Sequence, residues 1–244
     1  MDPAAVEVVM VRPSRAANVA AACRAMKNMG LRRLRLVGPV EGLDRPDSRA
    51  LAYGAWDVLD GASAAADLRE AVAGCTLVAG TSGRPDALAW TPRRLAEEGG
   101  PLARGGRVAL VFGPEASGLT NPELELCHVR VHIPSDPAQP SLNLAQAVLL
   151  MAYEIRLSGA GPAPAGVVPR ATAGEVEQAL DELRSGLLGI GYLNPDKPDA
   201  ILGELRALLV RASPEPREVS LLRGVARQIR WAAARIARGE GSSG

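Results

Sequence analysis

Five short strand-like runs constrain this chain more than any other feature. Residues 6–11, 34–37, 75–79, 108–112 and 129–133 are rich in Val, Leu and Ile, with helix-like stretches between them. Strands nearly continuous in Val, Leu and Ile, alternating with helices, read as buried on both faces. Such strands alternating with helices predict an α/β fold built on a parallel sheet. Helices are expected over 18–29, stopped by Gly30, and over 63–73, opened by Ser63. Two more are expected over 121–127, with Pro122 at its first position, and over 142–157, with Ser141 near its N-cap. In parallel sheets ligands gather at the carboxyl ends of strands. Four candidate loops lie there: after Val11, after Ala79 (the turn Gly80-Thr81-Ser82-Gly83), after Phe112 and after Ile133.

Beyond residue 158 the pattern changes. Residues 159–173 are rich in Gly, Ala and Pro and read as a linker. Helical apolar spacing returns over 175–188, 198–211 and 217–238, for instance Leu202, Leu205, Leu208 and Leu209. The expected organisation is an α/β domain over 1–158, the linker, and a small all-helical domain over 174–240. A chain of 244 residues has room for both.

Composition narrows the function classes. No apolar run reaches the ~18 residues of a membrane span, and the N-terminus carries no export signal. The cysteines, Cys23, Cys75 and Cys127, are odd in number and far apart, which fits a reducing cytoplasm. Cys127, His128 and His132 lie close together but lack a second ligand pair, so no metal is expected. Net charge is +1, from 28 basic and 27 acidic residues, and the balance hides an asymmetry. Between residues 12 and 35 stand Arg12, Arg15, Arg24, Lys27, Arg32, Arg33 and Arg35 without one acid. Between 217 and 238 six arginines face only Glu218. Either patch alone suits a solvated helix face; one near each end points to an anionic polymer. Aromatics are 3% of the chain, too few for a stacking platform. The glycine-rich strand-end loops contain neither G-x-G-x-x-G after a first strand nor G-K-[ST], which disfavours a dinucleotide or P-loop enzyme.

Three segments in fixed order carry the chemistry: Asn18 to Gly30 with Arg24 inside it; Gly113-Pro114-Glu115-Ala116-Ser117-Gly118; and Ile133-Pro134 followed by Ser141-Leu142-Asn143-Leu144-Ala145. The set resembles the three motifs of the SpoU branch of the SPOUT methyltransferases. The resemblance implies S-adenosylmethionine-dependent transfer of a methyl group to a ribose 2′-hydroxyl of RNA. It also implies a trefoil knot near the end of the catalytic domain, and a homodimer whose sites are completed by both subunits. Farther on, Leu205-Arg206-Ala207-Leu208 and residues 218–225 resemble the tail of TrmJ-type enzymes, which methylate nucleotide thirty-two of the tRNA anticodon loop. A ribosomal RNA ribose, another tRNA position, or a catalytically idle RNA-binding protein are the alternatives.

Carried over by motif, the cofactor contacts are Thr81, Ser82 and Gly83, then Gly113, Ile133, and Pro140, Ser141 and Leu142. Glycines suit this because backbone approaches a ligand closely without a Cβ. Ile133 could equally be core, and Ser141 a helix cap. Arg24, Asn18, Glu115, Ser141 and Asn143 form the implied catalytic set. A permanently charged guanidinium fits phosphate binding and charge stabilisation at the 2′-oxygen better than proton abstraction. Glu115 could instead cap the helix after it. Arg12, Arg15 and Lys27, with Arg223, Arg227 and Arg230 on one face of the tail helix, are the expected RNA contacts; Leu222, Val225 and Ile229 can point inward.

Overall fold

The computed structural model describes residues 1–84, 88–159 and 169–238. The chain divides into two compact units, Met1–Val167 and Val168–Gly244.

The first unit runs β1 (Val6–Val11), α1 (Ala16–Met29), β2 (Arg33–Val37), α2 (Pro46–Leu51), α3 (Trp56–Asp60), β3 (Ser63–Ala65), α4 (Leu68–Val72), β4 (Leu77–Thr81), α5 (Pro92–Ala103), β5 (Val108–Phe112), α6 (Asn121–Glu125), β6 (Val129–Val131) and α7 (Leu144–Leu157). The strands form one sheet in the order β3-β2-β1-β5-β4-β6, and every pairing is parallel. β1 and β5, at its centre, are buried at each residue, Glu7 of β1 included. Chain direction through the sheet reverses between β1 and β5, the switch point where parallel sheets open a crevice.

α1 buries Val19, Ala20, Cys23 and Met26 and ends at Gly30, whose φ of 88° lets its N–H reach the Lys27 carbonyl. α7 packs against α1 and α5, burying Leu144, Val148, Met151 and Ile155.

Three sequence expectations change. The segment 63–73 is not one helix. Ser63–Ala65 pairs with Arg35–Val37 as an edge strand, and α4 starts only after Asp67, whose carboxylate accepts the Glu70 amide at 2.8 Å. Alanine's helix propensity is overridden there by an open sheet edge. Gly80 and Thr81 belong to β4, so the turn begins at Ser82. α7 starts at Leu144, capped by Asn143, whose Oδ1 accepts the Ala145 amide at 2.9 Å; Ser141 is not the cap.

The second unit contains α8 (Ala173–Gly189), α9 (Asp199–Ala212) and α10 (Pro216–Ala237). Its core holds Ala171, Val176, Ala179, Leu180, Leu209 and Val219. Glu177 receives two bonds from Arg206, at 2.8 and 3.0 Å. Of the expected linker, residues 160–168 lie outside the described residues. Ala171 is already core, and Thr172 caps α8. The inward stripe of α10 runs through Val219, Leu222, Ala226 and Ile229. Val225 is 54% exposed, because the helix turns Ala226 rather than its neighbour toward α8.

Candidate active site

The carboxyl ends of β4, β5 and β6 open into one cavity. Its walls include Thr81, Ser82, Gly83 and Arg84, the loop Gly113–Leu119, Val131 and Ile133, and Pro140, Ser141 and Leu142. All eight residues assigned to a cofactor from sequence line it. Thr81 and Ser82 are themselves engaged. The Thr81 hydroxyl donates to the Val111 carbonyl at 3.0 Å, tying β4 to β5. The Ser82 amide donates to Val131, and its carbonyl meets His132 Nδ1 at 3.0 Å. By contrast Ile133, Ser141 and Leu142 have no hydrogen-bond partner among the described residues, so their main-chain groups and the Ser141 hydroxyl are available to a ligand. Among the described residues, the ionic groups lining the cavity are Arg84 and Glu115.

Gly113 is fixed by a close approach. A Cβ there would fall onto the backbone of Gly118 and Leu119, so the loop folds back over a residue that can have no side chain. The next turn is held by the Gly118 amide on the Pro114 carbonyl at 2.8 Å.

A hydrogen-bonded chain crosses the switch point beside this wall. Asn18 Nδ2 donates to Glu115 Oε1 at 2.6 Å, and Asn143 Nδ2 donates to Asn18 Oδ1 at 2.9 Å. The amide and hydroxyl of Ser14 both donate to Glu115 Oε2, at 2.9 and 2.7 Å. Glu115 therefore does not cap α6; Thr120 and Glu123 form that cap. Burial alone would raise the Glu115 pKa, but the bonds from Asn18 and Ser14 outweigh it and bring it down to about 2. Sequence reasoning missed Ser14 as a partner of Glu115. Nothing local in the sequence marks it, since the contact spans 101 residues.

Arg24 is exposed on α1, lies outside the cavity wall and has no partner among the described residues. Arg12, Lys27, Arg32 and Arg35 of the acid-free segment meet acids from elsewhere in the chain. Arg12 binds Glu123 at 2.6 Å, Lys27 binds Asp57 at 2.5 Å, and Arg35 lies 3.3 Å from Glu7. Arg15 stays exposed. In the tail, Arg223 pairs with Glu182 at 2.8 Å, while Arg227 and Arg230 are exposed. His128 Nδ1 accepts the Val78 amide at 2.8 Å, and no cluster of three metal-ligating groups occurs among the described residues. Burial pushes the Cys23 and Cys127 thiols up to about 12 and that of Cys75 to about 11, which leaves none as a ready nucleophile.

The model of the SpoU rRNA methylase family matches residues 5–153, which contain the whole cavity and its hydrogen-bonded chain. The chain belongs to the SpoU methylase family. Residues 174–240 match the C-terminal domain of tRNA methyltransferase TrmJ. Among relatives, tRNA (cytidine/uridine-2′-O-)-methyltransferase TrmJ of Cronobacter sakazakii is 41% identical over 92% of this chain and 95% of its own. The Pseudomonas aeruginosa protein, named tRNA (cytidine/uridine/adenosine-2′-O-)-methyltransferase TrmJ, is also 41% identical, over 90% of this chain and 91% of its own. A crystal structure of TrmJ from Z. mobilis ZM4 superposes with a TM-score of 0.80 at 35% identity, covering 91% of this chain and 98% of that one. The SpoU match and the TrmJ tail match fall on the two units separately, so the family resemblance extends over both.

Proposed function

We propose that this chain transfers a methyl group from S-adenosylmethionine to a ribose 2′-hydroxyl of tRNA, at nucleotide thirty-two of the anticodon loop. The observation that carries the reading is the convergence of three separate strand-end loops on one cavity, with the Glu115–Asn18–Asn143 chain at its rim. The TrmJ-like tail and the names of the relatives support tRNA as the substrate. Those names differ in the base, so the ribose is the shared target.

The cavity fits the cofactor. Leu119, Leu124, Val131 and Ile133 offer an apolar slot for a purine, and the free main-chain groups of Ile133 and Leu142 offer polar contacts to its edge. Arg84 and Glu115 provide one charge of each sign for a ligand carrying a carboxylate and a sulfonium. When bound, S-adenosylmethionine supplies an electrophilic methyl group.

The chain's own residues position the reaction. Glu115 is a weak base with a pKa near 2 and three donors already on its oxygens, so its role is to hold Asn18. Asn18 in turn orients Asn143, which fixes the start of α7 next to Ser141. The Ser141 hydroxyl is then placed to orient the ribose oxygen. Arg24 stabilises charge at that oxygen or at an adjoining phosphate.

Because Arg24 lies outside its own chain's cavity wall, it acts on the site of a second copy. The exposed stripe Leu149, Leu150, Tyr153 and Leu157 on α7, beside α1, is the surface by which two copies associate. Exposed Arg15, Arg227 and Arg230 are the RNA contacts best placed to meet phosphate, because none has a carboxylate partner among the described residues. The test is incubation with methyl-labelled cofactor and bulk tRNA or ribosomal RNA. Label in tRNA alone supports the reading; label in ribosomal RNA alone moves the substrate, and no label supports the idle RNA-binding protein.

A further inference from the structure

The cavity wall Gly113–Leu119 is tied down at both flanks by one short segment. Its leading flank carries Glu115, which takes two bonds from Ser14. Its trailing flank runs into α6 and Glu123, whose Oε1 takes the Arg12 guanidinium at 2.6 Å. Arg12 and Ser14 are two residues apart in the β1–α1 connection. Arg12 holds a left-handed backbone with φ of 47°, a conformation disfavoured for any residue with a side chain, and its amide is pinned to the Val37 carbonyl at 2.8 Å. That backbone turn sends the guanidinium toward α6. The Glu123 side chain is 13% exposed, and its second oxygen receives the Thr120 amide at 2.8 Å, so the carboxylate is held from both sides. A cation so engaged must give up Glu123 before it can serve a phosphate.

We propose that Arg12 is a positioning residue for the cofactor side of the site: through Glu123 it holds the 113–120 loop in its cavity-forming shape, and it contributes little to RNA phosphate binding. The inference rests on the reading of the cavity as the cofactor site. It goes further in joining two loops, because the segment that latches the cofactor wall leads directly into Asn18 on α1. Cofactor binding on one side of the switch point and RNA on the other then share one clamp, the physical condition for coupling between the two ligands.

The test uses the full chain with Arg12→Ala, Glu123→Gln and the double variant R12A/E123Q. Glutamine keeps the helix-capping geometry at position 123, so a change there reports the lost charge and not a lost cap. Hydrogen exchange of the 113–120 amides is read without ligand. S-adenosylhomocysteine affinity and the salt dependence of tRNA affinity are read separately. A half-exposed pair with one covered partner is expected to change exchange rates and S-adenosylhomocysteine affinity by about three- to tenfold in each single variant. The double variant should lose little more than either single variant, because both remove the same pair. The slope of log tRNA affinity against log salt should stay at its wild-type value. The proposal is overturned if Arg12→Ala leaves exchange and S-adenosylhomocysteine affinity unchanged and instead lowers that slope by about one, the signature of a phosphate contact. If the wild-type chain binds no S-adenosylhomocysteine, the cavity reading fails, and the exchange data still decide whether the latch exists.

Discussion

Asn18 and Glu115, 97 residues apart, meet through a 2.6 Å hydrogen bond that joins the first helix to the loop closing the cavity. The bond makes the carboxylate a fixed part of the wall. Because Glu115 is bound more strongly as carboxylate in the folded chain, it contributes stability above its ordinary pKa of 4.5, and this is lost as pH falls toward about 2. Glu115→Gln should remove that dependence across the pH 4.5 to 2 window. It should cost about 1 kcal/mol at neutral pH, a figure reduced for solvent screening of a partly exposed group. Denaturant melts of both proteins across this window check it, together with a fall in methylation at pH 7 caused by misplaced Asn18.

Gly113→Ala should abolish cofactor binding while leaving the sheet intact. The added methyl group lands on the backbone of Gly118 and Leu119, so the loop has to move. Overpacking of this kind costs about 1–3 kcal/mol. Calorimetry with S-adenosylhomocysteine reads the lost affinity, and circular dichroism reads the retained fold.

Arg24→Ala should lower methylation by about 10²–10³, the usual effect of removing one donor at a reacting oxygen, with S-adenosylhomocysteine affinity unchanged because Arg24 does not line the cavity. Mixing Arg24→Ala chains with Gly113→Ala chains should restore part of the activity if Arg24 serves the neighbouring copy. Equal turnover of the variant and wild type would remove Arg24 from the mechanism.

The tail arginines should separate into two classes. Arg223→Ala breaks a pair with Glu182, 19% exposed, and should destabilise the helical unit by about 1 kcal/mol. The double change Arg227→Ala and Arg230→Ala should leave stability alone and lower the salt slope of tRNA affinity by about two. Filter binding over a salt series, beside thermal melts, distinguishes the two classes.

The parallel sheet was readable because β5 is apolar throughout and β1 at every residue but Glu7, and their limits in the structure match the expected ones. The cavity was readable because its walls are contiguous motifs at strand ends. What was not readable depends on distant partners. The cations at 12, 27 and 35 lie in an acid-free segment, yet Glu123, Asp57 and Glu7 reach them from elsewhere. An alanine-rich tract at 63–65 became a strand only because β2 offered it an edge. α2, α3 and α5 drew no expectation, being short or interrupted by Gly and Pro.

Mapping the methyl group on tRNA treated with this protein and S-adenosylmethionine tests the central claim most directly. A 2′-O-methyl group blocks alkaline cleavage of the adjoining phosphodiester, so the product can be located by hydrolysis and mass spectrometry. The account predicts one new alkali-resistant linkage, at nucleotide thirty-two of the anticodon loop, absent with Arg24→Ala. A methyl group on a base, or transfer to ribosomal RNA in place of tRNA, would contradict it.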